Sequence, residues 1–168
     1  MVHIILIPKN YNLDSLDYKA LYKLMHQGRI TWSDLGAYLE LSAPAAAERV
    51  RRLEERGVIK GYSVLVEPHA VGCEVTAFIH ITLNKPENRN LFLSKIQQLP
   101  EIQECHHVAG EEDYLLKVRC KHMRRLESII SEDIKGLPGI QKTKTTIVLS
   151  TSKETPLLPV CSIESKIE

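Results

Sequence analysis

Two short stretches of the chain carry side chains with chemistry in them. The first runs from Ser42 to Lys60, where Arg49, Arg52 and Arg56 recur at helical spacing. At about 100° per residue they share one side of a helix with Ala45. Guanidinium groups in a row suit phosphate oxygens and guanine edges. Ser42, Ala43, Ala45 and Ala46 keep the start of that helix slim. It could therefore enter a major groove, with methyls against thymine methyl groups and the helix dipole towards a phosphate. Lys60 adds a cation in the segment that follows, and Glu48, Glu54 and Glu55 are expected to point elsewhere. The competing reading is a surface helix whose arginines pair with nearby glutamates.

The second stretch is Gly110-Glu111-Glu112-Asp113. A zwitterionic ligand needs N–H or hydroxyl donors for its carboxylate and an anion for its ammonium. Gly110 lets backbone approach closely, Glu111 belongs to the same turn, and Asp113 offers the anion. Thr143, Thr145 and Thr146 could add hydroxyls from a later strand. The same residues also suit an ordinary β-hairpin turn. Glu111 and Glu112 weigh against a strongly anionic ligand. Cys105-His106-His107, with Cys120 and His122, is the only cluster suggestive of a metal. Neighbouring histidines on one strand face opposite sides, so these are expected to be ordinary sheet residues.

The elements that must hold these groups follow from periodicity. Leu16, Ala20, Leu21 and Leu24 make an amphipathic helix opened by Leu13-Asp14 and stopped by Gly28. Trp32, Leu35 and Leu39 make a second, capped by Thr31 or Ser33. Ala46, Val50 and Leu53 make a third, with Ser42 as N-cap, Pro44 in the first turn and Gly57 as stop. Only Glu40 and Leu41 separate the last two helices, a helix-turn-helix spacing. Val58–Val66 is rich in β-branched and aromatic residues and predicts a strand or short ribbon, closed by Pro68 and Gly72.

Beyond it the chain repeats itself. Strand Val75–Leu83 leads to a helix bearing Leu91, Phe92, Ile96 and Leu99, and then Leu99-Pro100-Glu101-Ile102 enters a strand. Strand Tyr114–Arg119 leads to a helix bearing Met123, Leu126, Ile130 and Ile134. Leu137-Pro138-Gly139-Ile140 then enters strand Thr143–Leu149. Two β-α-β units of this kind predict a four-stranded antiparallel sheet with helices on one face, the ferredoxin-like arrangement. The other face, with Thr76, Phe78 and His80, is left bare, and a second subunit is the simplest cover. The expected organisation is a winged helix-turn-helix over 13–61, a linker strand or hinge over 62–72, a ferredoxin-like domain over 73–150 and a mobile tail over 151–168.

Composition agrees with a soluble α+β chain. Its 168 residues are 43% hydrophobic and 26% charged, with a net charge of +1, which excludes indiscriminate polycation binding. No apolar run approaches the roughly 20 residues of a spanning helix. Ile4–Ile7, ending at Pro8, is too short for a signal-peptide core, so a cytoplasmic location is expected. Cys73, Cys105, Cys120 and Cys161 are too widely spaced for a zinc CxxC pair and read as reduced thiols.

Taken together, Leu13-Asp14-Ser15-Leu16-Asp17, Gly28-Arg29-Ile30-Thr31, Leu41-Ser42, Arg49-Val50-Arg51-Arg52-Leu53-Glu54 and Gly57–Tyr62 are similar in order and spacing to a known family. So are Gly110–Val118, Leu137–Ile140 and Thr143–Leu149. Over roughly residues 13 to 150 the chain resembles the Lrp/AsnC (feast/famine) transcriptional regulators. The resemblance implies a winged helix-turn-helix joined to a ligand-sensing (RAM-type) αβ sandwich. It also implies homodimers that pair through their sheets and associate further, up to octamers, with amino acids or related metabolites bound between sensing domains. The function this implies is sequence-specific binding to a pseudo-palindromic duplex operator, tuned by an amino-acid effector, with no catalytic residues, metal or cofactor. The alternative is a tetrapyrrole (sirohaem) decarboxylase, an enzyme class sharing the two-domain plan, for which paired histidines near a sheet cleft would suit.

Overall fold

A computed structural model describes residues 11–160 of the chain. The expectations resting on Ile4–Pro8 and Cys161 lie outside the described residues. Those described divide into two compact units, 11–64 with 155–160, and 65–154.

The N-terminal unit is three helices, α1 (Ser15–His26), α2 (Trp32–Leu39) and α3 (Ala43–Glu55). Each begins at a side-chain cap that satisfies backbone N–H groups left free by the first turn. Asp14 and Asp17 form a reciprocal capping box on α1, Thr31 accepts from Asp34 N–H on α2, and Ser42 accepts from Ala45 N–H on α3. The unit's core is Ala20, Leu35, Leu39, Ala46, Val50 and Leu53, all buried. Trp32, expected in the α2 stripe, is instead exposed.

The α2–α3 turn is close. Glu40 takes the left-handed conformation with φ 57° while Leu41 N–H reaches back to Gly36 O at 2.8 Å. A Cβ on Gly36 would stand 2.8 Å from Leu41 O and 3.1 Å from Ala43 N. Only glycine permits that approach. At the end of α3, Gly57 has φ +71°, and Gly57 N–H and Val58 N–H bond to Glu54 O and Leu53 O. This is a Schellman closure.

The strand or ribbon expected over Val58–Val66 does not form; residues 58–66 have no ladder partner. Val58 and Ile59 N–H groups are both used to close α3. The rest of the segment is unpaired and leaves Tyr62, Val64, Leu65 and Val66 exposed. The N-terminal unit is thus a helix-turn-helix without a paired wing among the described residues.

The second unit is a four-stranded antiparallel sheet in the order β2 (Ile102–His107), β3 (Tyr114–Cys120), β1 (Val75–Leu83), β4 (Ile140–Ile147). Helix α4 (Arg89–Ile96) joins β1 to β2, and α5 (Met123–Ser128) leads from β3 towards β4. Ala77, Ile79 and Ile81 of β1 and Tyr114, Leu116 and Val118 of β3 face the helices with Phe92, Ile96, Leu126, Ile129 and Ile134 in one buried cluster. Helix α5 continues as a π-helical stretch, Ile129–Ile134, closed by Lys135 N–H to Ile130 O at 2.9 Å. Ile129 is buried beside the expected Ile130, which is half-buried against the same cluster, while Met123 and Leu91 are exposed. Strand β4 begins at Ile140, directly after the Leu-Pro-Gly junction, and ends at Ile147.

The opposite sheet face carries Thr76, Phe78 and His80 of β1, Lys117 and Arg119 of β3, and Lys144 and Thr146 of β4, as the register requires. The chain leaving β4 is not free, as a mobile tail would be: Glu154 forms ion pairs with both Lys117 and Arg119.

Candidate nucleic-acid interface and sensing turn

Helix α3 offers a slim, exposed beginning. Ser42 and Ala45 are exposed and Ala43 is half-buried. Ala46 is wholly buried in the core and cannot touch a groove, which corrects its place among the DNA-contacting residues.

The arginine row is not uniform. Measured about the helix from Ala45, Arg49 stands about 40° towards the core stripe, the nearest of the row to it. Its guanidinium turns onto α1, donating to Asp14 at 2.7 and 2.8 Å and to Asp17 at 2.5 Å. Asp17 is buried, so Arg49 compensates a charge that would otherwise lie uncovered between helices. These hydrogen bonds hold the Arg49 guanidinium above its usual range. Burial alone would raise the Asp14 carboxyl, but the Arg49 hydrogen bond and the Asp17 N–H outweigh it and hold the carboxyl low. Arg56 stands 3.9 Å from Asp17 and donates to Asn12 O. Arg49 is therefore a clamp between α3 and α1, and its guanidinium is not the free, solvent-facing group that the sequence predicts.

Arg52 remains on the outer side. It is exposed and reaches Glu48 at 3.1 Å. Arg51, absent from the sequence-level row because it falls on the other flank, is also exposed and grips Glu48 and Glu55. Glu48 thus points at the arginines and not away from them, and the two guanidinium groups hold its carboxyl down at about 2. Lys60 is exposed beyond α3. Nearby, Tyr62 donates its hydroxyl to Glu54 at 2.7 Å. Burial and the Glu54 carboxylate together push that hydroxyl up to about 12.

In the second unit, the turn from Gly110 to Asp113 joins β2 to β3. Gly110 has open space about it, and Glu111 is exposed. Asp113 does structural work: its carboxylate accepts from Leu83 N–H at 2.7 Å, and its N–H donates to Ile81 O. The threonines are not gathered with it. Thr143 and Thr145 pair with Ile81 and Ile79 on the helix side, whereas Thr146 pairs with Phe78 on the open side. Thr143 is also two strands from Tyr114 across β1, about 10 Å away.

His106 and His107 fall on opposite sides of β2, opposite Leu115 and Tyr114. Cys105 pairs with Leu116, four residues from Cys120, so the register does not bring the two thiols together. Burial pushes both thiols up, away from thiolate chemistry. Among the described residues no three His, Cys, Asp or Glu side chains gather as metal ligands, and no helix is long and apolar enough to cross a membrane.

Residues 13–54 match the AsnC-type helix-turn-helix domain, and residues 76–158 match the Lrp/AsnC ligand binding domain. Over 151 residues, 89% of this chain and 92% of the relative, the sequence is 39% identical to the leucine-responsive regulatory protein of Klebsiella pneumoniae. The chain belongs to the Lrp/AsnC family. Its leucine-responsive relative in Escherichia coli K12 is 38% identical over the same shares of each chain. Among solved structures, a transcriptional regulator of Neisseria meningitidis in complex with L-methionine superposes with a TM-score of 0.83 at 29% identity, covering 88% of this chain and 96% of that one. A feast or famine regulatory protein of M. tuberculosis, complexed with L-methionine, gives 0.80 at 36% identity, covering 87% and 98%. The protein is a DNA-binding transcriptional regulator of the Lrp/AsnC type, with a helix-turn-helix followed by a ferredoxin-like RAM-type domain. These relatives are regulators, which favours this reading over the tetrapyrrole decarboxylase one.

Proposed function

We propose that this Lrp/AsnC regulator reads duplex DNA with the exposed start of α3, through Ser42, Ala43 and Ala45, with Arg52 as its principal base-contacting guanidinium. Arg51, Arg56 and Lys60 serve the phosphates on either side. The observation that carries this reading is the geometry of α3: a side-chain-capped helix start with small exposed residues, fixed at a close turn after α2. Arg52 must exchange Glu48 for DNA, an exchange that costs little at an exposed pair. The near-neutral composition limits non-specific affinity, since each phosphate contact acts through counterion release.

A homodimer presents two such helices to a pseudo-palindromic site. Its support is the open sheet face bearing Phe78, together with the exposed apolar residues at 62–66. Higher assembly, to octamers, follows the family. Regulation comes from an amino-acid effector at the turn containing Gly110, Glu111 and Asp113; the L-methionine complexes of two structural relatives support that class of ligand. Thr143, Thr145 and Thr146 divide between two faces and do not form one wall with that turn, so any part they play belongs to a different contact. The effector regulates if one assembly holds it better than another, on a scale of about 1–3 kcal/mol. The protein acts without catalysis, in the cytoplasm, where its DNA lies.

Selection of duplex sites from a random pool with the full chain, at stated salt and with an amino-acid panel, tests this reading. The expected result is an enriched, two-fold-related motif whose affinity shifts with one class of amino acid. A pool that stays random at every salt concentration overturns it.

A further inference from the structure

Helix α3 turns an anion outward at the crest of its exposed side. At about 100° per residue, Glu48 lies roughly 165° around the helix from the mean direction of buried Ala46, Val50 and Leu53. Arg52 stands about 40° to one side of it and Arg51 about 60° to the other. Both converge on its carboxylate. Arg51 grips it twice, Nε to Oε2 at 2.8 Å and Nη2 to Oε1 at 2.7 Å, while its Nη1 turns to Glu55. Arg52 adds Nε to Oε1 at 3.1 Å. These hydrogen bonds hold the Glu48 carboxyl at about 2, so it is an ionised acceptor at neutral pH. The exposed stripe is therefore not a row of cations, because Glu48 and Glu55 balance Arg51 and Arg52. A carboxylate facing a major groove is repelled by the phosphates and by guanine O6 and N7, adenine N7 and thymine O4. Base edges offer it donors at the amino groups of cytosine and adenine, and adenine's lies beside the acceptor N7.

We propose that Glu48 is the residue by which α3 selects a cytosine, accepting from that base's N4 amino group next to the base that Arg52 contacts. The inference rests on the DNA reading above and names a base for it. When Arg52 leaves Oε1 for its own base, that oxygen loses one donor and cytosine N4–H supplies another. Arg51 keeps its two bonds to the carboxylate, which fixes the plane of the acceptor, and its remaining N–H groups are left for a phosphate. The Glu48 side chain thus reaches the groove already ordered, which lowers the cost of fixing it there. Against guanine or thymine the same carboxylate faces acceptors, a repulsive contribution to specificity. Were Glu48 to serve its exposed ion pairs alone, each would contribute little, and its removal would change affinity for every duplex alike.

The test is selection of duplex sites from a random pool by the full-length wild type, Glu48→Ala and Glu48→Gln. Each protein is then titrated against the wild-type site carrying each of the four bases at the position concerned. Expected for the wild type is a cytosine at one fixed position of each half-site, bound about tenfold more tightly than the other bases there. Glu48→Ala should bind all four versions within about twofold, and a scrambled duplex no less tightly than the wild type does, since an anion has left the interface. Glu48→Gln should favour adenine at that position, because an amide pairs with adenine N6 and N7. If the wild type and Glu48→Ala enrich the same motif with the same base preferences, the DNA reading stands and the role given to Glu48 is wrong. A preference lost at an A·T pair overturns the assignment to cytosine. If Glu48→Ala enriches nothing, Glu48→Gln decides, and a cytosine retained there overturns the proposal. If the wild type enriches no motif, both readings fall.

Discussion

Arg49 and Arg52 are three residues apart on one helix and have opposite employment. Arg49 stands over buried Asp17, so Arg49→Ala should destabilise the N-terminal unit by about 1–3 kcal/mol, the cost of stranding a buried polar group. Arg52→Ala, at an exposed pair, should change stability by less than about 0.5 kcal/mol. Urea denaturation separates them, and equal midpoints for the two variants would contradict the clamp. The acid limb of stability carries a second signature. Asp14 titrates below its ordinary 3.8 in the folded chain. Its contribution is therefore complete above that value and is lost as pH falls through the lower folded one. Stability of the wild type should drop below pH 3.8 more steeply than that of Arg49→Ala. Parallel acid limbs would remove the link. Sequence periodicity shows the arginine row but not this division of labour. The partner of Arg49 lies on α1, 35 positions away, and a helical wheel carries no information about a neighbouring helix.

An element is legible in the sequence wherever one side chain settles a local backbone need. Asp14, Thr31, Ser42 and Gly57 are such residues: the three N-terminal helices start beside the first three, and α3 stops beside the last. The failures share a cause, which is dependence on something distant. Residues 58–66 have strand-forming side chains, but a strand exists only beside another, and among the described residues no strand pairs with them. Ile129 and Ile134, five residues apart across the π-helical turn, are both buried, a spacing that 3.6-residue periodicity does not express. The Gly110–Asp113 turn is legible from its own residues, but the bonds of Asp113 to Leu83 N–H and Ile81 O run to another strand, which no local pattern shows. The close α2–α3 turn makes two predictions of opposite sign. Gly36→Ala forces a Cβ against Leu41 O and should cost about 1–3 kcal/mol. Glu40→Gly relieves a left-handed non-glycine residue and should gain about 1 kcal/mol. Thermal unfolding of both variants checks the turn, and a wild-type midpoint for Gly36→Ala would mean that the helices do not meet so closely in solution.

At the scale of the molecule, the chain joins a unit that presents a helix to a unit whose sheet carries helices on one face and, on the other, meets Glu154 of the segment leaving β4. The central claim is that α3 reads DNA and that Arg52 is its principal guanidinium. The most direct measurement is the affinity of the full-length protein for its selected site and for a scrambled duplex, across a salt series, for the wild type and Arg52→Ala. Arg52→Ala should lose about 1–3 kcal/mol on the selected site while its affinity for the scrambled duplex changes far less. Indistinguishable wild-type and variant curves on both duplexes would contradict it.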